Sequence, residues 1–167
     1  MIALLRVDNR LLHGQILEAW VPRLRISRVV VADDEAAASP LAQAAMTLCL
    51  PPELKADVLP VGGIDYVALA GAKERVLLLF RDVAALTRAL PFGLTPALSR
   101  EVNLGNIHFA PGRQPVTPSV FLSAEEVALV EHLAKAGFAV AARAVPADPP
   151  TGAREIAQKY AEASRKR

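Results

Sequence analysis

The sequence has 167 residues, 53% of them hydrophobic, which is enough for one domain with a buried core. The formal net charge of +2 does not indicate a nucleic-acid or membrane-binding protein, and the single cysteine, Cys49, excludes a disulfide within the chain. No apolar run reaches the roughly 18 residues that span a bilayer, and the first residues lack the pattern of a secretory signal. These features predict a cytoplasmic protein.

Short apolar runs alternate with amphipathic segments along the chain. The runs predict strands over residues 2–7, 26–32, 56–61, 75–80, 99–104, 118–122 and 138–144. The segments between them predict helices over residues 13–24, 36–49, 63–71, 82–91, 124–136 and 152–164. Several strands are continuously apolar, as in sheets covered on both faces. The alternation predicts an α/β fold with an open, mostly parallel, doubly wound sheet of about seven strands and helices on both faces.

Local signals mark several boundaries of these elements. Ser123 and Glu126 have the spacing of a capping box, Asp82 is placed to cap the fourth helix, and Gly137 is typical of a helix end. No helix separates the strands predicted at 99–104 and 118–122, so we expect an irregular or antiparallel connection there. We expect residues 1–145 to form the body of one domain, with a proline-rich connection and terminal helix over 146–167 as part of it.

The stretch RVDNRLLHGQ, residues 6–15, contains the last residues of the first predicted strand and the loop DNRLLHGQ that follows it. In open α/β sheets, ligands bind outside the carboxyl ends of strands, most often where the strand order reverses. The next helix starts close to His13, with Gly14 and Gln15 in its first positions. A helix start presents free N–H groups and a partial positive charge, so this loop predicts an anion site.

The charged side chains of the same stretch favour a phosphate as the anion. Arg6 and Arg10 could add guanidinium groups to the site, and Asp8 could orient either the imidazole of His13 or Arg10. A neutral imidazole is a competent nucleophile toward phosphorus. The spacing alone is more typical of a histidine that caps a helix beside arginines paired with acids, and it leaves both interpretations open.

The longer stretch RVDNRLLHGQILEAW, residues 6–20, resembles the N-terminal signature of a known family. This is the IIB component of the mannose/fructose/sorbose family of the bacterial phosphoenolpyruvate-dependent sugar phosphotransferase system. Its pattern runs roughly R-[IV]-D-[DN]-R-L-[IL]-H-G-Q. Further similar segments follow in the expected order: RVVVADDEAA (28–37), RVLLLFRD (75–82) and VNLGNIHFAPGRQ (102–114).

The resemblance implies a phosphohistidine–sugar phosphotransferase of the cytoplasm, associated with the membrane through other subunits. His13 would accept a phosphoryl group from a IIA component and pass it to a sugar that enters through the membrane subunits IIC and IID. Asp8 and Arg10 would assist His13 in catalysis. The family implies no cofactor, metal or nucleic acid. The implied phosphate-binding residues are Arg6, Arg10, Gly14 and Gln15.

One residue departs from the family pattern, and two others in the matching segments need an interpretation. Asn106 stands where many members have a second glycine, and its side chain could crowd the loop or add a polar contact. His108 follows closely and could act as a second base, although the pattern does not require one. Trp20 falls at helical spacing from Ile16, which favours core packing over a partner contact.

Charged residues after other strands have simpler explanations. Asp33, Asp34 and Glu35 could chelate a cation, but acids in the first turn of a helix are favourable without one, and we expect no metal. Arg81 follows the fourth strand at the same sheet edge as His13. It could face the phosphoryl donor or pair with its neighbour Asp82.

Two other functions remain open from the sequence. A regulatory IIB-like protein would be phosphorylated on His13 without delivering phosphate to sugar. A small-anion or nucleotide-binding module would use the same helix start without covalent chemistry. The sequence does not specify the sugar or the oligomeric state.

Overall fold

A seven-stranded sheet forms the centre of the computed structural model, which describes residues 1–48 and 50–165. Cys49 and the last two residues lie outside this described part. The strands within these residues are β1 (Ile2–Asp8), β2 (Arg28–Ala32), β3 (Lys55–Leu59), β4 (Val76–Phe80), β5 (Glu101–Asn106), β6 (Gln114–Thr117), β7 (Val120–Leu122), β8 (Ala139–Ala142) and β9 (Thr151–Gly152). The sheet order is β3-β2-β4-β1-β5-β8-β9, and only β9 runs antiparallel to its neighbour.

Helices connect the parallel strands, as the alternating pattern predicts. They are α1 (Val21–Leu24), α2 (Asp34–Ala37), α3 (Pro40–Thr47), α4 (Tyr66–Gly71), α5 (Val83–Arg88), α6 (Ala124–Lys135) and α7 (Ala153–Arg165). A π-helical turn over Ile16–Trp20 leads into α1. The helix predicted over 36–49 is split into α2 and α3, because Ser39 caps a new helix in which Pro40 takes the first position.

Apolar side chains cover both faces of the sheet. On β1, Leu5 and Val7 belong to one core cluster and Leu4 to the other, since successive residues of a strand point to opposite faces. The first cluster includes buried residues of α4, α5, α6 and α7, and the second includes Ile16 and Trp20. This arrangement confirms the predicted α/β class with helices on both faces.

The connection between β5 and α6 differs from the prediction in its pairing. The strand expected over 118–122 lies outside the main sheet, where β7 pairs with β6 in a separate antiparallel hairpin. The short β9, which the sequence analysis missed, supplies the seventh strand of the main sheet. The expected antiparallel connection is therefore present, but it forms its own small sheet.

The predicted boundary signals are confirmed. Ser123 and Glu126 form a reciprocal capping box, Asp82 accepts a hydrogen bond from the N–H of Ala85 at 2.7 Å, and Gly137 has a φ of 103° after α6. Ile156 of α7 is buried in the first core cluster. Among the described residues, no helix is long and apolar enough to cross a membrane.

The position of β1 in the sheet determines where a ligand can bind. β1 lies between β4 and β5, with β2 and β3 beyond β4 and with β8 and β9 beyond β5. The chain is thus wound first to one side of β1 and later to the other. The loop after β1 lies at the carboxyl edge of the sheet at this reversal, where open α/β sheets bind their ligands.

Candidate active site

The loop after β1 begins with a tight turn at Asp8. The N–H of Leu11 donates to the carbonyl oxygen of Asp8 at 2.9 Å, and the N–H of Arg10 donates to Oδ1 of the Asp8 side chain at 3.1 Å. Leu11 has a φ of 54°, in the left-handed region that a bulky residue rarely adopts. The buried side chains of Leu11 and Leu12 hold the loop against the second core cluster. Packing thus maintains a strained turn at the edge of the sheet.

His13 starts the helix that follows this turn. Its Nε2 lies 3.1 Å from Oδ2 of Asp8, and its side chain is 9% exposed. Its Nδ1 is buried and has no hydrogen-bond partner among the described residues. With Nε2–H donated to the carboxylate, the lone pair of the ring is on Nδ1. The imidazole therefore has one nitrogen held by the protein and one nitrogen available for chemistry.

Asp8 is the centre of the hydrogen-bond network. Its Oδ2 accepts from Nη2 of Arg6 at 2.8 Å as well as from His13, while Oδ1 accepts from the backbone of Arg10. The carboxyl group is completely buried. Burial by itself would raise the pKa of Asp8, but the hydrogen bond from His13 and the charge of Arg6 together hold this pKa below its ordinary value. Asp8 is therefore a buried carboxylate with both oxygens engaged.

Arg6 lies beneath the loop, on β1, and its side chain is 0% exposed. Its guanidinium donates to Oδ2 of Asp8, to Oδ1 of Asn103, and to the carbonyl oxygens of Arg143 and Ala144. Burial lowers the pKa of Arg6, and the charge of Asp8 opposes this shift. The sequence leaves Arg6 two possible roles: pairing with an acid, which its contact with Asp8 shows, or direct contact with phosphate at the loop. The structure does not place it there, because the side chain is enclosed and its donors are already used.

Trp20 covers the guanidinium of Arg6. The Cζ atom of Arg6 lies 5.0 Å from the centroid of the Trp20 ring, and that of Arg143 lies 5.3 Å from it. The indole Nε1–H donates to the carbonyl oxygen of Ala144 at 3.0 Å, and the ring is 1% exposed. The core position predicted for Trp20 is confirmed. Its contact with Arg143 and the hydrogen bonds of Asn103 were not predicted, because these partners are distant in sequence.

The solvent side of the loop carries the remaining predicted phosphate ligands. Arg10 is exposed, and its side chain makes no hydrogen bond within the described part of the chain. The N–H of Ile16 donates to the carbonyl oxygen of His13 at 2.9 Å. The N–H groups of Gly14 and Gln15 precede this bond, so they have no acceptor within the helix. These donors and the exposed Arg10 belong to the same loop and helix start as His13.

Asn9 joins this loop to the loops after β4 and β5. Its Nδ2 donates to the carbonyl oxygen of Arg81 at 2.7 Å, and its Oδ1 accepts from the N–H of His108 at 2.7 Å. Its own N–H donates to the carbonyl oxygen of Asn106 at 2.8 Å. Asn9 is part of the quoted signature, but the sequence analysis gave it no role. His108 reaches the loop only through its backbone N–H, and its residue is exposed.

The acids after β2 are used in structural contacts. Asp33 accepts two hydrogen bonds from Arg81, each at 2.7 Å, and it also caps α2. Burial raises the pKa of Asp33, but the bonds from Arg81 and the cap hold it below its ordinary value. Arg81 therefore pairs with Asp33 rather than with Asp82. Among the described residues, no group of three His, Cys, Asp or Glu side chains is placed to hold a metal ion.

Comparison with known proteins gives consistent matches over nearly the whole chain. The family described as the PTS system sorbose subfamily IIB component matches residues 2–167. The PTS system mannose-specific EIIAB component of Escherichia coli (strain K12) is 30% identical over 151 residues, which are 89% of this chain and 46% of that protein. The chain therefore spans about half the length of this relative.

Two further matches have the length of this chain. The N-acetylgalactosamine-specific phosphotransferase enzyme IIB component 2 of Escherichia coli (strain K12) is 30% identical over 149 residues, which are 89% of this chain and 93% of that protein. The crystal structure of the IIBSor domain of the sorbose permease from Klebsiella pneumoniae has the same fold, with a TM-score of 0.82 at 23% identity over 95% of this chain and 97% of that one. The chain belongs to the sorbose subfamily of phosphotransferase system IIB components.

Proposed function

We propose that the protein is a phosphohistidine carrier, in which His13 accepts a phosphoryl group from a IIA component and delivers it to a sugar. The observation that carries the proposal is the asymmetry of the His13 ring. Nε2 is held at 3.1 Å by Asp8, whereas Nδ1 is without a partner among the described residues. An unpartnered nitrogen in a loop with free N–H groups and an exposed arginine suits nucleophilic attack on a phosphoryl group.

The transfer needs only the groups present at this loop and the donor. The lone pair of Nδ1 forms the new P–N bond while the P–N bond of the donor phosphohistidine breaks, and its electron pair returns to the donor ring. The ring of His13 gains positive charge as the bond forms, and the Asp8 carboxylate stabilises that charge through Nε2–H. Because Nδ1 is covered in the resting structure, docking of the donor must shift the ring or its loop slightly to admit the phosphorus atom.

The phosphoryl oxygens need positive charge and N–H donors on the solvent side of the ring. Arg10 supplies an exposed guanidinium, and the N–H groups of Gly14 and Gln15 supply a helix start. Phosphoryl transfer depends mainly on such positioning and charge stabilisation. We assign these three residues to phosphate binding. Asp8 acts on His13, and Arg6 lies too deep for direct contact.

The partners follow from the chemistry and from the names of relatives. The mannose-specific relative is an EIIAB component and is about twice as long as the match, which supports a IIA component as the phosphoryl donor. The acceptor would be a sugar delivered by the membrane subunits IIC and IID. In this second step, the sugar hydroxyl forms a P–O bond, Nδ1 recovers its electron pair, and the hydroxyl proton passes to water.

A phosphorylation assay tests the first step. The protein is incubated with phosphoenolpyruvate, enzyme I, HPr and a IIA protein, and its intact mass is measured. We expect one acid-labile phosphoryl group on the wild type and none on His13→Ala. His132→Ala is the matched control, since His132 is exposed on α6 away from the loop. A wild type that stays unmodified with a IIA protein that phosphorylates another IIB would contradict the proposal.

A second assay distinguishes the carrier from the other functions. Phosphorylated protein is added to membrane vesicles that contain IIC and IID, and sugar phosphate is measured. A carrier loses its phosphoryl group as sugar phosphate appears. Stable phosphorylated protein with no sugar phosphate would favour a regulatory role. Reversible binding of inorganic phosphate without any covalent product would favour an anion-binding module.

A further inference from the structure

We propose that Arg6 is a positioning residue for His13, and that Asn103 and Gly105 of β5 form the receptacle that holds its guanidinium against Asp8. This inference rests on the proposed function, because it concerns how His13 is prepared for attack. The inference assigns one role, the positioning of His13, to two segments that are about a hundred residues apart, RVD on β1 and NLG on β5.

The receptacle is built by the register of two parallel strands. Arg6 pairs with Asn103 across β1 and β5, and Gly105 follows two residues later on the same face. A Cβ atom at Gly105 would lie 1.9 Å from Cζ of Arg6 and 2.0 Å from its Nη2. Any side chain at this position would therefore displace the guanidinium. Oδ1 of Asn103 accepts from Nη1 of Arg6 beside this gap.

The other sides of the guanidinium are closed as well. The Trp20 ring covers it at 5.0 Å, and the carbonyl oxygens of Arg143 and Ala144 accept from it at 3.4 and 3.2 Å. Its remaining bonds go to Asp8, at 3.3 Å from Nε and 2.8 Å from Nη2. An arginine with every side occupied has one orientation, so it fixes the Asp8 carboxylate in one orientation too.

This fixed carboxylate determines the tautomer of His13. The charged groups that face it are Arg6 from β1 and His13 from the helix start, while Arg143, just after β8, lies beside Arg6. Without the Arg6 guanidinium, Asp8 would be a buried carboxylate with too little positive charge near it, and it would take up a proton at higher pH. A protonated Asp8 would donate to Nε2 of His13. The ring proton would then be on Nδ1, which would have no lone pair for attack.

Two variants and one control test this inference. Gly105→Ala displaces the guanidinium without removing any charge, and Arg6→Met removes it. Gly71→Ala is the matched control, because nothing lies within 4 Å of a Cβ at that position. We expect the first two variants to transfer phosphate roughly 10- to 100-fold more slowly at neutral pH, in line with the cost of losing an orienting contact. We expect their rates to recover as the pH rises.

The pH profile separates positioning from a loss of fold. A merely structural change would lower the transfer rate by the same factor at every pH. Loss of positioning would lower the transfer rate further at acidic pH. Arg6→Lys keeps a charge near Asp8 and should restore part of the rate, with an acid limb between those of wild type and Arg6→Met. Far-ultraviolet circular dichroism reports whether each variant is folded, because the Trp20 ring itself contacts the altered guanidinium.

A readout that does not depend on transfer keeps the two proposals distinguishable. Nitrogen chemical shifts of His13 report which ring nitrogen carries the proton. We expect the Nε2–H tautomer in the wild type and a pH-dependent shift toward Nδ1–H in Gly105→Ala. If the wild type takes no phosphate, the proposed function fails, and the tautomer shift still tests the positioning. Folded variants with wild-type tautomer and wild-type pH profile would overturn it.

Discussion

Oδ2 of Asp8 lies 3.1 Å from Nε2 of His13 and 2.8 Å from Nη2 of Arg6, so a single carboxylate oxygen connects the histidine of the loop to a buried arginine. Asp8 follows Arg6 by two residues on β1, which places both side chains on the same face. His13 returns to this face only because the turn after Asp8 brings the helix start back over the strand end. The sequence order R-x-D-x-x-x-x-H thus encodes a chain of contacts from the core to the surface.

Asp8→Asn should harm both transfer and stability. The amide leaves the Arg6 charge buried without a counterion, and loss of one partner of a buried pair costs about 3–5 kcal/mol. We expect a lower free energy of unfolding in urea and a transfer rate reduced by roughly 100-fold or more, because His13 loses the group that fixes its tautomer. Asp57→Asn is the control. Asp57 pairs with Arg28 at 2.7 Å with both side chains partly exposed, and its loss should cost less than about 1 kcal/mol.

Arg10→Ala should slow transfer without affecting stability. The guanidinium is exposed and makes no hydrogen bond within the described part of the chain, so the folded state does not depend on it. The phosphoryl oxygens would lose a charge-assisted donor in the transition state, and a reduction of roughly 100- to 1000-fold is expected. Arg23→Ala removes another exposed arginine, on α1, and should leave the rate unchanged. Equal rates for the two variants would exclude Arg10 from the site.

The sequence was sufficient to predict the fold class because the strands are strongly apolar. β4, VLLLF, is buried along its whole length, and a short continuously apolar segment of this kind is typical of a strand covered on both faces. β9 has only two residues, Thr151 and Gly152, and no periodicity can reveal so short a strand. The hairpin strand β6 contains Pro115, which weakens any strand signal.

Within the site, the sequence indicated local partners but not distant ones. Asp8, Arg10 and His13 lie within one turn of the loop, so their proximity follows from their spacing. Arg6 looked like a phosphate ligand because a guanidinium at the end of the first predicted strand could reach the loop that follows. Its burial depends on the register between β1 and β5 and on the missing side chain at Gly105, and both are properties of the assembled sheet.

The pH dependence of stability should reflect the ion pair between Asp33 and Arg81. The pKa of Asp33 in the folded protein is below its ordinary value of 3.8, so near and below that pH the unfolded chain binds more protons than the folded one. Stability from this pair is then complete above pH 3.8 and is lost as the pH falls through the folded pKa. The pKa of Asp8 is also lowered in the folded protein, so protonation of Asp8 should likewise reduce stability as the pH falls.

Asp33→Asn measures the share of Asp33 in this acid sensitivity. Asparagine caps a helix as well as aspartate does, so Oδ1 still caps α2, whereas the charge and the second acceptor of Arg81 are both removed. Urea unfolding of wild type and variant should be followed between pH 3 and pH 6, a range of about three units around the ordinary carboxyl pKa. We expect the difference between their free energies of unfolding to be largest at the upper end and to shrink on acidification. Parallel curves would contradict this assignment.

Asn9→Asp should loosen the loop that carries His13, although the change replaces only one atom. The carboxylate of Asp keeps an acceptor for the N–H of His108, but it has no N–H to donate to the carbonyl oxygen of Arg81. That carbonyl oxygen, 2.7 Å away, then faces a negatively charged oxygen in place of the donor. An unpaired and repelled polar group in this partly buried position should cost about 1–3 kcal/mol. We also expect slower transfer, since Asn9 fixes the start of the turn against β5.

The neighbouring asparagine provides the control for this prediction. The Asn106 side chain makes no hydrogen bond within the described residues, and only its backbone carbonyl oxygen accepts from the N–H of Asn9. Asn106→Gly should therefore leave the transfer rate near that of the wild type and cost no more than about 1 kcal/mol in unfolding free energy. If Asn106→Gly lowers the rate as much as Asn9→Asp does, the side chain of Asn106 takes part in the site. The three hydrogen bonds of Asn9, to Arg81, Asn106 and His108, would then be insufficient to explain how the loop is held in place.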